Sequence, residues 1–223
     1  MKARSVIAKL KTHANAKNVA GMARFGINPH TTLGVSIPVL RGMARDIGKD
    51  HALARQLWST GIHEARLLAA FVEDPKLVTQ AQMNVWVAQF DSWDVCDQVC
   101  SNVFDKTPFA IQKAKEWARD RREFVRRAGF VLMACLAVHD KKAGDTVFTS
   151  FFPLIKSMSV DERNFVKKAV NWALRQIGKR NVRLQKAAIK VAEDILKKDS
   201  PSARWIAADA LRELRAKKFK KHT

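Results

Sequence analysis

Helical periodicity runs through almost the whole chain and leaves little room for any other kind of structure. Phe124, Ala128, Val131 and Cys135 recur at i, i+4, i+7 and i+11, the spacing of one helix face. Phe165, Ala169 and Trp172 repeat it, and Leu67, Ala70, Phe71 and Asp74 close another helix before Pro75. Strand signals are nearly absent: there is no tyrosine and no clear alternation bounded by Asn-Gly or Asp-Gly turns. Helix starts are marked by residues that can satisfy the first, otherwise unpaired, backbone N–H groups. Ser159 with Glu162 and Asp120 with Glu123 have capping-box spacing, and Ser200 precedes a proline suited to the first helical position.

Pro75, Pro108, Pro153 and Pro201 are separated by 33, 45 and 48 residues. That spacing is close to one helix pair of a HEAT or armadillo array, about 40–47 residues. The expected fold is therefore all-α, an α-solenoid of five or six HEAT-like helix pairs with a concave basic face. A compact irregular helical bundle is the alternative. No linker is long enough to divide the chain, so residues 1–216 are expected to form one domain, followed by a basic tail, 217–223.

The charge narrows the partner. With 41 basic and 21 acidic residues the formal charge is +20. Such a protein repels itself, and a polyanionic partner is the usual reason to tolerate that. Residues 1–45 hold eight Lys/Arg and no acid, and residues 163–190 hold nine and again no acid, whereas residues 46–105 hold nine acids against four bases. Basicity that served solubility alone would not need acid-free stretches, and nucleic acid is the expected partner.

Other classes are disfavoured. The three cysteines, Cys96, Cys100 and Cys135, read as small buried hydrophobes in a reducing compartment. There is no C-x-x-C and the six histidines are scattered, so no metal or other cofactor is expected. Nothing resembles a signal peptide or approaches the roughly 18 continuous apolar residues of a membrane span. The expectation is a cytoplasmic protein, with nothing demanding more than a monomer and no role for a membrane.

One constellation carries chemistry. Asp97 lies four residues after Trp93 in DSWDVCD, and FVRRAGF with Arg127 and KKAVNWALR with Trp172 follow. Two tryptophans, a carboxylate and an arginine suit neither a metal nor a nucleotide. They suit a site that holds a nucleic-acid backbone and stabilises positive charge on it.

These motifs resemble the AlkD-like DNA alkylation repair family, the HEAT-like-repeat DNA glycosylases. The resemblance begins at GMARFGI and LGVSIPVLR and continues through QLW, HEARLLAA, DSWDVCD, FVRRAGF and FVKKAVNWALR. It ends at SARWIAADALREL, a segment typical of bacterial members. It is their order and spacing together that make the match specific. The resemblance implies hydrolysis of the N-glycosidic bond of cationic N3- and N7-alkylpurines in double-stranded DNA, without a cofactor. It implies a catalytic set of Trp93, Asp97, Arg127 and Trp172, with Arg175 on the phosphate backbone and Arg127, Phe25 and Lys168 among the DNA contacts. Phe25 departs from the pattern, since family members often have tyrosine there; the aromatic face is kept and the hydroxyl is lost.

The chemistry is consistent with those roles. An alkylated purine already carries positive charge, so it leaves without being protonated. The sugar becomes oxocarbenium-like as the bond breaks, and a carboxylate such as Asp97 stabilises that charge and can position the attacking water. The faces of Trp93 and Trp172 attract cationic groups through the ring quadrupole. Arg127 can grip a phosphate bidentately. Many glycosylases extrude the base into a pocket, but the resemblance implies that this family works through sugar and phosphate contacts without one.

Each residue also has a plainer role. Tryptophans on a helical stripe are usually core, an isolated aspartate is usually a solvated acid or an ion-pair partner, and Arg127 flanks its stripe as a snorkelling arginine would. One of Asp91 and Asp94 reads as a helix N-terminal charge. Trp58, Trp86, Trp117 and Trp205 are expected in the core or at an interface. Lys113, Lys115, Arg119, Arg121, Arg122 and Arg126 form a solvated face or in part meet phosphates. Two other functions compete with the glycosylase: a non-catalytic DNA or RNA binder in the same fold, and a protein-binding helical scaffold.

Overall fold

The computed structural model describes residues 2–219, so the expected tail lies, from residue 220 on, outside the described residues. Among the described residues are fourteen α-helices and two short 3-10 turns, with no strand. The chain divides into two compact units, Met1–Thr107 and Pro108–Thr223.

The first unit contains α1 (Ala3–Thr12), α2 (Ala16–Ala23), α3 (Ile37–Ile47), α4 (His51–Ser59), α5 (His63–Val72), α6 (Gln80–Ala88) and α7 (Trp93–Asn102). Its core helix is α5, which packs against α1, α3, α4 and α7. The run Ala65, Leu67, Leu68, Ala69, Ala70 and Val72 is fully or almost fully buried. Small alanines among leucines let neighbouring helices approach α5 from several sides. Asn15, Asp50 and Thr79 cap α2, α4 and α6 by accepting from Asn18, Leu53 and Gln82 N–H. Each such cap is worth about 1 kcal/mol. Trp58 and Trp86 stack with ring centroids 4.2 Å apart and planes 6° from parallel.

The second unit contains α8 (Ala110–Trp117), α9 (Glu123–His139), α10 (Asp145–Thr149), α11 (Phe152–Met158), α12 (Asn164–Gly178), α13 (Val182–Leu196) and α14 (Pro201–Ala216). Here α9 packs between α8 and α12, and α12 packs in turn on α13 and α14. Of the stripe, Ala128, Val131 and Cys135 are buried as its period demands and Phe124 is half-buried, but every other residue from Arg127 to Ala137 is buried as well. Successive helices pair as α4 with α5 in the first unit and as α8 with α9, α12 with α13 and α13 with α14 in the second, consistent with the helix pairs of a HEAT-like all-α fold. The fourteen helices exceed the five or six pairs expected, because α10 and α11 are only five and seven residues long.

Gly129, in the FVRRAGF motif, sits where α8 and α9 touch. A Cβ there would lie 2.3 Å from the Ala118 backbone nitrogen and 2.8 Å from its Cα. Backbone cannot yield as a flexible side chain can. Gly129→Ala is therefore expected to destabilise the protein by roughly 2–3 kcal/mol, although alanine is favoured over glycine in a helix by about 1 kcal/mol. The urea midpoint measures it, and an unchanged or higher midpoint contradicts the close approach.

Two expected caps are corrected. Helix α12 starts at Asn164 with Arg163 as its cap residue, so Ser159 and Glu162 do not form a capping box. Ser159 instead ends α11 and donates to the Lys156 carbonyl. Glu162 reaches the start of α14, where it accepts from Ser200 Oγ at 2.8 Å and Ser202 N–H at 3.2 Å. Asp120 likewise lies outside α9, whose cap residue is Arg122, and binds the Arg122 amide and guanidinium. Ser200 does cap α14, accepting from Ala203 N–H with Pro201 at the first position. Helix α5 ends at Val72, so Asp74 falls just beyond it.

Candidate functional site

In the first unit the expected residues gather at the start of α7. Val95, Cys96, Val99 and Cys100 face the core. That burial turns Trp93 and Asp97, one helical turn apart, together onto the half-buried flank. The Trp93 indole N–H donates to the Phe25 carbonyl at 3.2 Å. This bond ties the segment after α2 to α7 and fixes the indole, while the Phe25 ring stands 68% exposed.

Two adjacent residues at the start of α5 organise the surroundings. His63 is buried, and its Nε2 lies 2.9 Å from Asp94 Oδ2 on α7. Asp94 is thus not merely a helix N-terminal charge. Burial pushes its carboxyl up, but the hydrogen bond and charge of His63, with help from Ser92 and the Val95 N–H, hold it below its ordinary value. Asp91 pairs with Arg66 at 3.1 Å. Glu64 is fully buried, and its carboxylate accepts from Leu33, Gly34 and Val35 N–H at 2.8, 2.7 and 3.3 Å. The HEARLLAA and LGVSIPVLR motifs are therefore joined by one carboxylate. Between the loop it holds, α2 and the start of α7 lies a mostly apolar cleft of about 510 Å³, walled by Met22, Phe25, Val35, Ile37, Leu67 and Trp93.

In the second unit Arg127 lies on α9 and Trp172, Arg175 and Lys168 on α12. Arg127 is only 6% exposed, and its Nη1 donates to the Phe165 carbonyl of α12 at 2.7 Å. It is held between two helices, which corrects the snorkelling alternative. Trp172 is half-buried at the margin of a face whose core is Val166, Ala169, Val170, Ala173, Leu174 and Ile177. With the Gln176 amide oxygen turned toward its two neighbouring donors, it accepts from Trp172 Nε1 at 3.0 Å and Lys179 Nζ at 3.2 Å. Lys168 is exposed. Arg175, matched above to a phosphate contact, is paired with Glu213 at 2.6 Å and Asp209 at 3.3 Å on α14.

The basic run from Lys113 in α8 to Arg126 in α9 divides. Lys113 is buried beside Glu116, Arg122 binds Asp120, and Arg126 joins Arg163 on Asp161, both at 2.6 Å. Arg119 and Arg121 are exposed. Of the remaining tryptophans, Trp58, Trp86 and Trp117 are core, whereas Trp205 is 41% exposed with Lys167 Nζ 5.3 Å from its ring centre. The three cysteines are buried, as hydrophobes are. No group of three or more His, Cys, Asp or Glu that could hold a metal ion occurs among the described residues, nor any helix long and apolar enough to cross a membrane.

Asp161 and Glu213 behave as Asp94 does. Burial raises each carboxyl, but arginines and a lysine outweigh it: Arg163 and Arg126 for Asp161, Lys179 and Arg175 for Glu213. All three lie below their ordinary values of 3.8, 3.8 and 4.5. The unfolded chain therefore takes up protons first on acidification, and these groups contribute stability above about pH 4.5 that is lost as pH falls through their lower folded values. Urea midpoints are expected to be level from neutrality to about pH 5 and to fall steeply below about pH 4. A midpoint that holds or rises down to pH 3 contradicts these pairings.

Sequence reasoning missed His63, Glu64 and the depth of Asp94. An acid in the first turn of a helix ordinarily reads as a solvated dipole partner. The available signal was a His-Glu pair opening an otherwise apolar, alanine-rich helix.

The family described as "DNA alkylation repair enzyme" matches this chain over residues 6–220. A search of curated proteins finds none that matches. Among solved structures, one described as "A new family of proteins related to the HEAT-like repeat DNA glycosylases with affinity for branched DNA structures" superposes with a TM-score of 0.79. It shares 19% identity and covers 95% of this chain and 95% of that chain. At that identity the likeness establishes the fold, and the family supplies a general DNA-repair role of glycosylase type. A match running from the first helix through the last assigns the chain as a whole, and the protein belongs to the AlkD-like DNA alkylation repair family of HEAT-like-repeat proteins.

Proposed function

We propose that the protein is a DNA glycosylase that hydrolyses the N-glycosidic bond of positively charged N3- and N7-alkylpurines in duplex DNA. The observation that carries this reading is the pairing of Trp93 and Asp97 on one half-buried flank of α7, with the indole fixed by the Phe25 carbonyl. A carboxylate held one turn from an aromatic face suits a cation that exists only while the bond is breaking. In the proposed reaction the C1′–N bond breaks, the base leaves as a neutral alkylpurine with both bonding electrons, and water adds to C1′ and releases a proton to solvent. Asp97 stabilises the positive sugar and orients the water. Trp93 and Trp172 flank the sugar, and Arg127, buried and held by the Phe165 carbonyl, anchors a phosphate of the lesion strand only through the small part of its guanidinium left open.

The acid-free, basic stretches 1–45 and 163–190 support contact with a polyanion. Lys168 and the exposed Phe25 are proposed DNA contacts. Arg175 contributes to a phosphate contact only by sharing its guanidinium with Glu213 and Asp209. The proposed setting is the bacterial cytosol, with the protein acting as a monomer.

The test is base release from a panel of duplexes. Release of 7-methylguanine and 3-methyladenine, with little release of neutral uracil, supports the reading. Uracil release at a comparable rate overturns it. The second reading is a binder without chemistry. The structural relative described above has affinity for branched DNA, and a fold shared at 19% identity is compatible with binding alone. Salt-dependent binding without release of any base would favour that reading.

A further inference from the structure

Helix α12 presents a row of cations that the fold itself partly covers with acids. Lys168, Trp172, Arg175 and Lys179 recur at i, i+4, i+7 and i+11, so they share one flank of the helix. Their stretch, 163–190, contains no acid. The acids come from α14. Glu213 lies 2.6 Å from both Arg175 Nη1 and Lys179 Nζ, and Asp209, one turn earlier, lies 3.3 Å from Arg175. Asp209 also accepts from Asn171 Nδ2 at 2.7 Å and pairs with Arg212. Two carboxylates one helical turn apart thus stand over two neighbouring cations, while the Lys168 end of the row is left exposed.

These pairs are placed to be exchanged. The two helices already touch without them, since a Cβ on Gly178 of α12 would lie 2.6 Å from Leu214 Cδ2 of α14. Arg175, Lys179 and Glu213 keep 29%, 28% and 31% of their side-chain surface open, and ion pairs this exposed are weak. Arg175 Nε is buried without a hydrogen-bond partner among the described residues, so the acids do not exhaust its donors. Neither acid is stranded when one cation leaves. Arg175 can hold Glu213 without Lys179, and Asn171 and Arg212 can hold Asp209 without Arg175. There is room for an incoming group, because Lys179 lines an open cavity of about 540 Å³ with Lys141, Gln176 and Asn181. A phosphate offers these cations the same charged oxygen acceptors as a carboxylate. We propose that Asp209 and Glu213 are internal stand-ins for backbone phosphates, occupying Arg175 and Lys179 until DNA displaces them. Helix α14 thereby holds the affinity for undamaged duplex below what a charge of +20 would otherwise give. The inference rests on the reading of the protein as DNA-binding, but not on glycosylase chemistry.

The experiment measures binding of an undamaged duplex by anisotropy across a salt series, for the natural protein, Glu213→Gln, Glu213→Asp and Asp199→Asn. Glu213→Gln frees Lys179 for one further phosphate. It is expected to bind about fivefold more tightly at physiological salt, with the fall of log K against log salt steeper by about one. Glu213→Asp keeps the charge but shortens its reach, and is expected to fall between Glu213→Gln and the natural protein. Asp199 is fully exposed and pairs with Arg204, not with α12. Asp199→Asn therefore makes the same change in net charge away from the row, and is expected to alter affinity by less than about twofold. Urea midpoints check that the variants fold. If Glu213→Gln does not fold, Glu213→Asp decides: tighter binding supports the inference and unchanged affinity overturns it. Affinity and slope in Glu213→Gln equal to those of the natural protein, or a rise matched by Asp199→Asn, overturn the inference and leave the proposed function standing. Failure of the natural protein to bind DNA removes the proposed function and the inference together.

Discussion

Asp97→Asn is expected to slow the release of 7-methylguanine and 3-methyladenine from methylated duplex DNA by about 100-fold or more, with DNA binding nearly unchanged. The magnitude follows from the kind of work assigned to the carboxylate. Removing one preorganised group that faces developing charge commonly costs about 100- to 1,000-fold in rate. Asparagine keeps the size of the side chain and loses the negative charge. Asp97 is half-buried on α7, and the core face of that helix, Val95, Cys96, Val99 and Cys100, is untouched by the change. The unaltered core separates loss of chemistry from loss of fold, and the urea midpoint of the variant checks it. Release falling by less than about threefold would remove Asp97 from the reaction. A parallel fall in affinity and rate would make it a binding residue instead.

Glu64→Ala is expected to destabilise the first unit by roughly 4 kcal/mol. Three backbone N–H groups of the 33–35 loop converge on this one buried carboxylate. Each buried donor left without an acceptor costs about 1–3 kcal/mol, and removal of the side chain adds a cavity. Total stability for a domain is about 5–15 kcal/mol, so the alanine variant stands near the limit of folding. Glu64→Gln keeps one acceptor oxygen and is expected to lose about half as much. Urea unfolding measures both variants, and hydrogen exchange at Leu33, Gly34 and Val35 should speed up in the glutamine variant before the core helices open. Midpoints unchanged in both would show that the loop is held by other contacts.

Much of this architecture was legible in the sequence because it is local. The apolar period of FVRRAGF and its continuation set α9, and Ser200-Pro201 set the start of α14. What escaped is tertiary. Ser159 and Glu162 have the spacing of a cap, yet Glu162 serves α14, some forty positions along the chain. Asp120 has it too, but the Arg122 guanidinium next to it competes successfully for its carboxylate. The acid-free stretch 163–190 does not show that its Arg163 and Arg175, like Arg126 outside it, are spent on acids of their own unit. Within the candidate site, the spacing of Trp93 and Asp97 already placed them one turn apart on a helix. The part played by Phe25 could not be read, because it is the main-chain carbonyl of this residue, not its ring, that meets Trp93. Glu64 escaped for a related reason: its partners are amides of a loop some thirty residues earlier, and amides carry no sequence signature.

The measurement that bears most directly on the central claim is single-turnover release of 7-methylguanine from an oligonucleotide duplex with one such lesion, using the natural protein in excess. Free 7-methylguanine and an abasic site are expected at a rate well above spontaneous depurination, with an undamaged duplex left intact. Tight, salt-dependent binding of the lesion duplex with depurination no faster than in buffer would contradict it, and would make the protein a DNA-binding member of its family without the chemistry.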